Sequence, residues 1–145
     1  ISLKMIDVEY IDTFESHCFL NTGSPHHVEF NKNLSELDIV SKGKQIRFGA
    51  PYFEEGTNVN FTEQLSENSF KVRTYERGVE DETLACGTGA TAVAIAMNAI
   101  GETNKTSINL NVEGGKLVVS FDKMGDHFTN VFLTGPAKFV FKGTM

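Results

Sequence analysis

From Ala90 to Ile100 the chain is apolar on every face a helix would present, and the uncharged run around it extends from Thr83 to Gly101. A helix with no polar face must be covered on all sides. Elsewhere the pattern is that of strands. Leu3 to Ile11 is rich in β-formers, though its alternation is irregular. His17 to Leu20 and His26 to Phe30 flank the turn-forming run Asn21-Thr22-Gly23-Ser24-Pro25, in which Pro25 keeps Ser24 out of the helical region. Asn58 to Thr62 and Phe70 to Tyr75 alternate polar with apolar, as half-buried strands do. Ile108, Leu110 and Val112 alternate before Gly114-Gly115, and Leu117, Val119 and Phe121 after it, predicting a hairpin whose glycines supply positive φ at the turn. Phe128 to Leu133 and Lys138 to Phe141 add two strands, parted by Gly135-Pro136. Asp38 to Phe48 is ambiguous: Ile39, Val40 and Ile46 suit a short helix, whereas Gly43 weakens one. Only strands are available to cover the apolar helix, and its alanines at 90, 92, 94, 96 and 99 let them approach closely. The expected fold is α+β, a curved, mixed, barrel-like sheet wrapped around one central buried helix.

Composition narrows the class. The 145 residues suit one domain, 1–145, without linker, repeat or low-complexity tract, and at 40% hydrophobic and 22% charged they fit a globular protein. A net charge of −6 argues against a nucleic-acid partner, which needs a basic face. The apolar stretch falls short of the roughly 20 residues that span a bilayer, so no membrane association is expected. No signal-peptide pattern opens the chain, which begins Ile-Ser-Leu and so reads as a piece of something longer. Two cysteines make no disulfide scaffold and fit a reducing compartment.

One cysteine stands where chemistry is possible. In Glu82-Thr83-Leu84-Ala85-Cys86-Gly87-Thr88-Gly89-Ala90, Cys86 sits at the mouth of the apolar helix. The unpaired N–H groups and dipole of a first helical turn favour a thiolate. The same groups can hold a carboxylate or the enolate derived from it. The alternative is a small buried hydrophobe followed by a tight glycine turn. In Thr74-Tyr75-Glu76-Arg77-Gly78 a strand runs into a loop, where Arg77 can clamp a carboxylate through paired hydrogen bonds and Glu76 can receive an ammonium or tune a thiol. The alternative there is a surface ion pair. His26 and His27 face opposite sides of their strand, so at most one serves a given site, and a lone strand histidine is commonly structural. Asn58 and Asn60 share a strand face and suit either a polar ligand or the end of a loop. No metal-ligand spacing is recognisable, and Gly87-Thr88-Gly89 lacks both the Lys-Ser/Thr pair and the third glycine of nucleotide loops. Cys18, beside Phe19 and Leu20, reads as buried filler, with nothing pointing to a bond to Cys86.

Together, Thr22-Gly23-Ser24-Pro25-His26-His27-Val28, Gly56-Thr57-Asn58-Val59-Asn60-Phe61, Tyr75-Glu76-Arg77-Gly78, the segment around Cys86, and Leu133-Thr134-Gly135-Pro136-Ala137 resemble diaminopimelate epimerase, from about Asn21 onward. The resemblance implies a two-half enzyme, each half offering a cysteine from the mouth of its central helix, that inverts the α-carbon of diaminopimelate without pyridoxal phosphate, other cofactor or metal. It implies that this chain is the C-terminal half, with Cys86 as one of two acid/base thiols and Gly87 and Thr88 as the carboxylate cradle. Glu76, Arg77 and Asn58 would bind substrate, Glu76 also lying near the thiol, and His26 would support the proton chemistry. The family usually has Asn where Ser24 stands, so a substrate contact there is open.

The expected partners are thus diaminopimelate and the N-terminal half, with a second copy of the chain as a further candidate. Alone, the chain should be inactive. The alternatives are a proline-racemase-like enzyme with the same two-thiol chemistry, a Cys–His hydrolase using Cys86 and His26 as nucleophile and base, and a non-catalytic domain of the same fold.

Overall fold

A computed structural model describes residues 1–136, so the expected strand from Lys138 to Phe141, and Ala137 with it, lies outside the described residues. Within them the fold is a curled, mixed, ten-stranded sheet around a buried helix. The strands are β1 (Ser2–Lys4), β2 (Asp12–Thr13), β3 (His17–Asn21), β4 (Pro25–Phe30), β5 (Asn58–Ser66), β6 (Ser69–Glu76), β7 (Asp81–Thr83), β8 (Ser107–Val112), β9 (Gly115–Met124) and β10 (His127–Thr134). Helix α1 spans Ile39–Phe48 and α2 spans Gly87–Ala99. The spatial order is β1-β10-β9-β8-β6-β5-β4-β3-β2, with β7 also paired to β6. The β4–β5 and β6–β8 pairs are parallel and the others antiparallel. No helix among the described residues is long and apolar enough to cross a membrane.

Helix α2 behaves as its composition requires. Every residue from Gly89 to Asn98 is buried, and the helix packs against strands β3, β4, β5, β6, β8, β9 and β10. On the helix Ile95 is fully inaccessible and Met97 nearly so, and around it Phe70, Ile108 and Leu110 are fully inaccessible and Phe128 nearly so. Each such side chain contributes about 1.5–3 kcal/mol of transfer free energy.

The single strand expected over Leu3 to Ile11 is instead divided. Ser2–Lys4 pairs with β10, Val8 makes an isolated bridge to Phe128, and Asp12–Thr13 pairs with β3. Its irregular alternation has this physical origin, since the segment leaves one edge of the sheet and arrives at the other. Residues 2–13 therefore strap the two edges together. The hairpin turn also departs from expectation. Gly115 has φ +144°, but Gly114 does not have positive φ. Gly114 is needed for a close approach, because its N–H donates to the Leu84 carbonyl at 2.8 Å and an added Cβ would lie 3.2 Å from that oxygen.

Strand β5 corrects a second expectation. Its residues 58–62 are buried on both faces, not half-buried. Val59 and Phe61 join Leu34, Ile39 and Tyr75 in a small outer core beneath α1, while Asn58 and Asn60 hydrogen-bond within the interior. Asp38 caps α1 by accepting from the Ser41 N–H at 3.1 Å. Gly43, which weakened the helical reading, is what lets α1 settle on the sheet, because a Cβ there would lie 2.5 Å from Tyr75 Cβ. Gly43→Ala therefore sets two effects against each other. Helix propensity favours alanine by about 1 kcal/mol, whereas overpacking against a fully buried tyrosine costs about 1–3 kcal/mol. A net loss of stability, read as a lower urea midpoint, is expected, and an unchanged or raised midpoint would refute the packing account.

Candidate active site

The turn between β3 and β4, the starts of β4 and β5, the end of β6 and the first turn of α2 converge on Cys86. This residue is the N-cap of α2, with extended backbone and no side-chain capping bond. It is half-buried and free of any disulfide, whereas Cys18 is buried in the core, where burial pushes its thiol pKa up. The first helical N–H to find a partner is that of Ala90, on the Cys86 carbonyl. Those of Gly87, Thr88 and Gly89 have no acceptor among the described residues, as expected for a first turn without a capping side chain. The two glycines admit the protein's own side chains. A Cβ on Gly87 would lie 2.8 Å from Leu133 Cδ2, and one on Gly89 would lie 2.5 Å from Asn60 Oδ1 and 3.3 Å from Cys86 Sγ.

Beside the thiol lies a cluster of neutral polar groups. Thr88 Oγ1 is 3.5 Å from Cys86 Sγ, 2.9 Å from His26 Nε2 and 3.1 Å from Ser24 Oγ. His26 is fully buried, and burial with the nearby Arg77 charge lowers its pKa to about 3. It is a neutral imidazole at physiological pH. The turn is pinned to the helix because Thr22 Oγ1 donates to the Thr88 carbonyl at 2.8 Å. His27 points the other way, as strand geometry requires. It stacks on His17 with ring centroids 4.2 Å apart and meets the Tyr52 hydroxyl at 2.8 Å.

Asn58 is a bracket. Its amide N–H groups donate to the Pro25 carbonyl and Ser24 Oγ, and its oxygen accepts from the Arg77 backbone N–H at 2.9 Å. The Arg77 guanidinium donates to the Glu55 carbonyl at 2.8 Å. Glu76 closes β6 opposite Asp81, half-buried, and its carboxylate has no hydrogen bond to the cluster among the described residues. The structure thus brings Cys86, Gly87, Thr88, His26, Asn58 and the Arg77 backbone together, and leaves Glu76 at the rim. Ser24, whose place was open, has its hydroxyl inside the cluster.

The loop carrying Arg77 is held from behind. Arg47 reaches from α1 to donate through Nε and Nη2 to the Glu80 carboxylate at 3.0–3.2 Å, and Glu80 also accepts from Tyr75 Oη and the Gly78 N–H. Gly56, with φ +67°, packs directly on the guanidinium. Neither residue stood out in the sequence, because they are 33 positions apart. Removing one partner of a fully buried pair costs about 3–5 kcal/mol, but the Glu80 side chain is 34% exposed. Arg47→Met is therefore expected to cost less, about 1–2 kcal/mol, with protease cleavage appearing first at Gly78–Glu80. Cleavage elsewhere first would count against the clasp.

No group of three or more His, Cys, Asp or Glu side chains suited to a metal occurs among the described residues. Comparison with known proteins gives a consistent answer. Residues 18–140 match the family model described as Diaminopimelate epimerase. The chain is 56% identical over its full length to 57% of a diaminopimelate epimerase of Flavobacterium psychrophilum. It is 44% identical over 127 residues, 88% of the chain, to 45% of one from Aquifex aeolicus. The chain spans about half the length of the curated relatives it matches. Among solved structures, a hydroxyproline epimerase of Agrobacterium vitis superposes with TM-score 0.66 at 16% identity, over 91% of this chain and 48% of that one. A probable proline racemase of Agrobacterium radiobacter gives 0.54 at 13%, over 87% of this chain and 38% of its own length. At such identities these two show a shared fold only.

Proposed function

The chain belongs to the diaminopimelate epimerase family, and from that premise we propose that it is the C-terminal half of a cytoplasmic enzyme that inverts the α-carbon of diaminopimelate. Inversion by proton transfer needs a base on one face of the carbon and an acid on the other. Cys86 supplies one of these groups and a cysteine of the other half supplies the second, so that two thiols suffice without pyridoxal phosphate. The observation that carries the reading is the half-buried Cys86 at the mouth of α2, beside three N–H groups that find no acceptor among the described residues. Those of Gly87 and Thr88 are aimed to receive the substrate carboxylate and the charge that builds on it when the α-proton leaves. Arg77, bracketed by Asn58, and Glu76 at the rim take the polar groups of the substrate's far end. His26 supports the chemistry as a neutral donor through Thr88. Val79 and Leu84, 57% and 71% exposed near the site, form part of the apolar surface that the other half covers.

The hydrolase alternative fares worse. A base for Cys86 would need a free imidazole lone pair facing the sulfur, yet both His26 ring nitrogens are engaged by other groups and neither contacts the thiol.

Solvent-deuterium incorporation at the α-carbon of diaminopimelate tests the proposal. The chain alone should give none, and mixing it with the N-terminal half should restore exchange. Robust exchange by the chain alone would overturn the two-half account.

A further inference from the structure

Asn60 is fully buried and its amide is oriented by two neighbours. The His27 carbonyl, which can only accept, lies 3.3 Å from Nδ2, and Thr74 Oγ1 donates to Oδ1 at 2.9 Å. That places the NH2 group toward His26 Nδ1, 2.9 Å away, so Nδ1 must accept. A neutral imidazole with an accepting Nδ1 carries its proton on Nε2. The ring then donates to Thr88 Oγ1. Ser24 Oγ also lies 3.1 Å from Nε2 and accepts from Asn58, which leaves the Thr88 oxygen, 3.1 Å away, as the acceptor for its own proton among the described residues. Receiving from both, the Thr88 hydroxyl has one proton to direct and, among the described residues, one remaining acceptor, Cys86 Sγ at 3.5 Å.

We propose that Asn60, held by Thr74, is a positioning residue that locks His26 as the Nε2–H tautomer and so aims the Thr88 hydroxyl proton at the Cys86 sulfur. Every bond in the chain Thr74, Asn60, His26, Thr88, Cys86 points the same way, and the last stabilises a thiolate. With the opposite tautomer, Nε2 would accept from Thr88 and withdraw that proton from the sulfur. The charged group that acts on the ring is Arg77, from the loop after β6. The facing elements otherwise present neutral Ser24, Asn58, Asn60 and Thr88, together with Cys86. The catalytic meaning rests on Cys86 being the proton-transfer thiol, but the tautomer can be measured without that reading.

In the 15N-labelled chain at pH 7, long-range 1H–15N correlations of His26 should show a bare Nδ1 and a protonated Nε2. A protonated Nδ1 would overturn the proposal. Asn60→Ala should release the ring into mixed tautomers and slow iodoacetamide alkylation of Cys86 at pH 7 by about tenfold, scored on the Cys86 peptide. Thr88→Val should slow it equally while keeping the tautomer, and the double variant should be no slower than either single one. Unchanged alkylation and tautomer in Asn60→Ala would also overturn it. If that chain does not fold, Thr74→Val is read by the same criteria, with Thr74→Ser expected to restore wild-type behaviour. Absent deuterium exchange with the expected tautomer present would sink the epimerase reading alone. Exchange with the opposite tautomer would sink only the relay.

Discussion

Cys86→Ser in the complete enzyme is expected to cut α-proton exchange by ~10³-fold or more, while stabilising this half by about 0.5–1 kcal/mol. On the proposed mechanism the position carries both a proton and a helix cap, so the two effects have opposite signs. As a proton carrier, a serine hydroxyl is far too weak an acid to be deprotonated beside three N–H dipoles near neutral pH. As an N-cap, serine is better than cysteine. The backbone at position 86 is already in the extended conformation that caps adopt, and the cysteine makes no capping bond. The position is half-exposed, so the exchange leaves no cavity. Deuterium incorporation and a urea melt of the same preparation check both halves of the expectation. A serine variant that remains active would remove Cys86 from the chemistry. One that loses stability and activity together would make the residue structural.

Acidification should destabilise the chain well before its carboxylates titrate. Burial, and secondarily Arg77, lower the His26 pKa from its ordinary value near 6.5 to about 3. In that interval the unfolded chain binds a proton that the native chain does not, so unfolding free energy falls as pH falls. The contribution is fully present above pH 6.5 and disappears as pH approaches 3. Between pH 6.5 and 5 the loss is about 2 kcal/mol. His17, lowered by burial and by His27, adds in the same direction. Glu29 and Glu80 act only further down: burial opposes ionisation in each, but hydrogen bonds and ion pairs outweigh it and hold the carboxyls below their ordinary 4.5. Urea midpoints at pH 7 and pH 5 measure the drop, and His26→Gln should flatten most of it. An equal slope in wild type and variant would mean that the native ring is not held neutral.

The central helix was legible because an apolar run without a polar face admits one solution, burial on all sides. The hairpin from β8 to β9 and the separation of His26 from His27 followed from the two-residue period in the same way. What stayed hidden depends on pairing between distant strands. Asn60 looked like the polar face of a half-buried strand, because nothing local shows that β5 is covered by α2 within and α1 outside. Its partners Thr74 and His26 become neighbours only through the β5–β6 and β4–β5 registers. Gly43 weighed against α1 on propensity, and the reason for it sits on β6, at Tyr75. Cys86 announced itself through its glycines, although their room is taken by Leu133 and Asn60.

Because residues 2–13 bind β10 at one end and β3 at the other, the ring of strands has a clasp that is itself a piece of peptide. Peeling that ribbon away bares two rows of unpaired amides and carbonyls at once, facing each other across the gap it had bridged. Both rows are then templates for a stranger's strand, so exchange of the ribbon between neighbouring molecules and runaway stacking would begin from the same opened state.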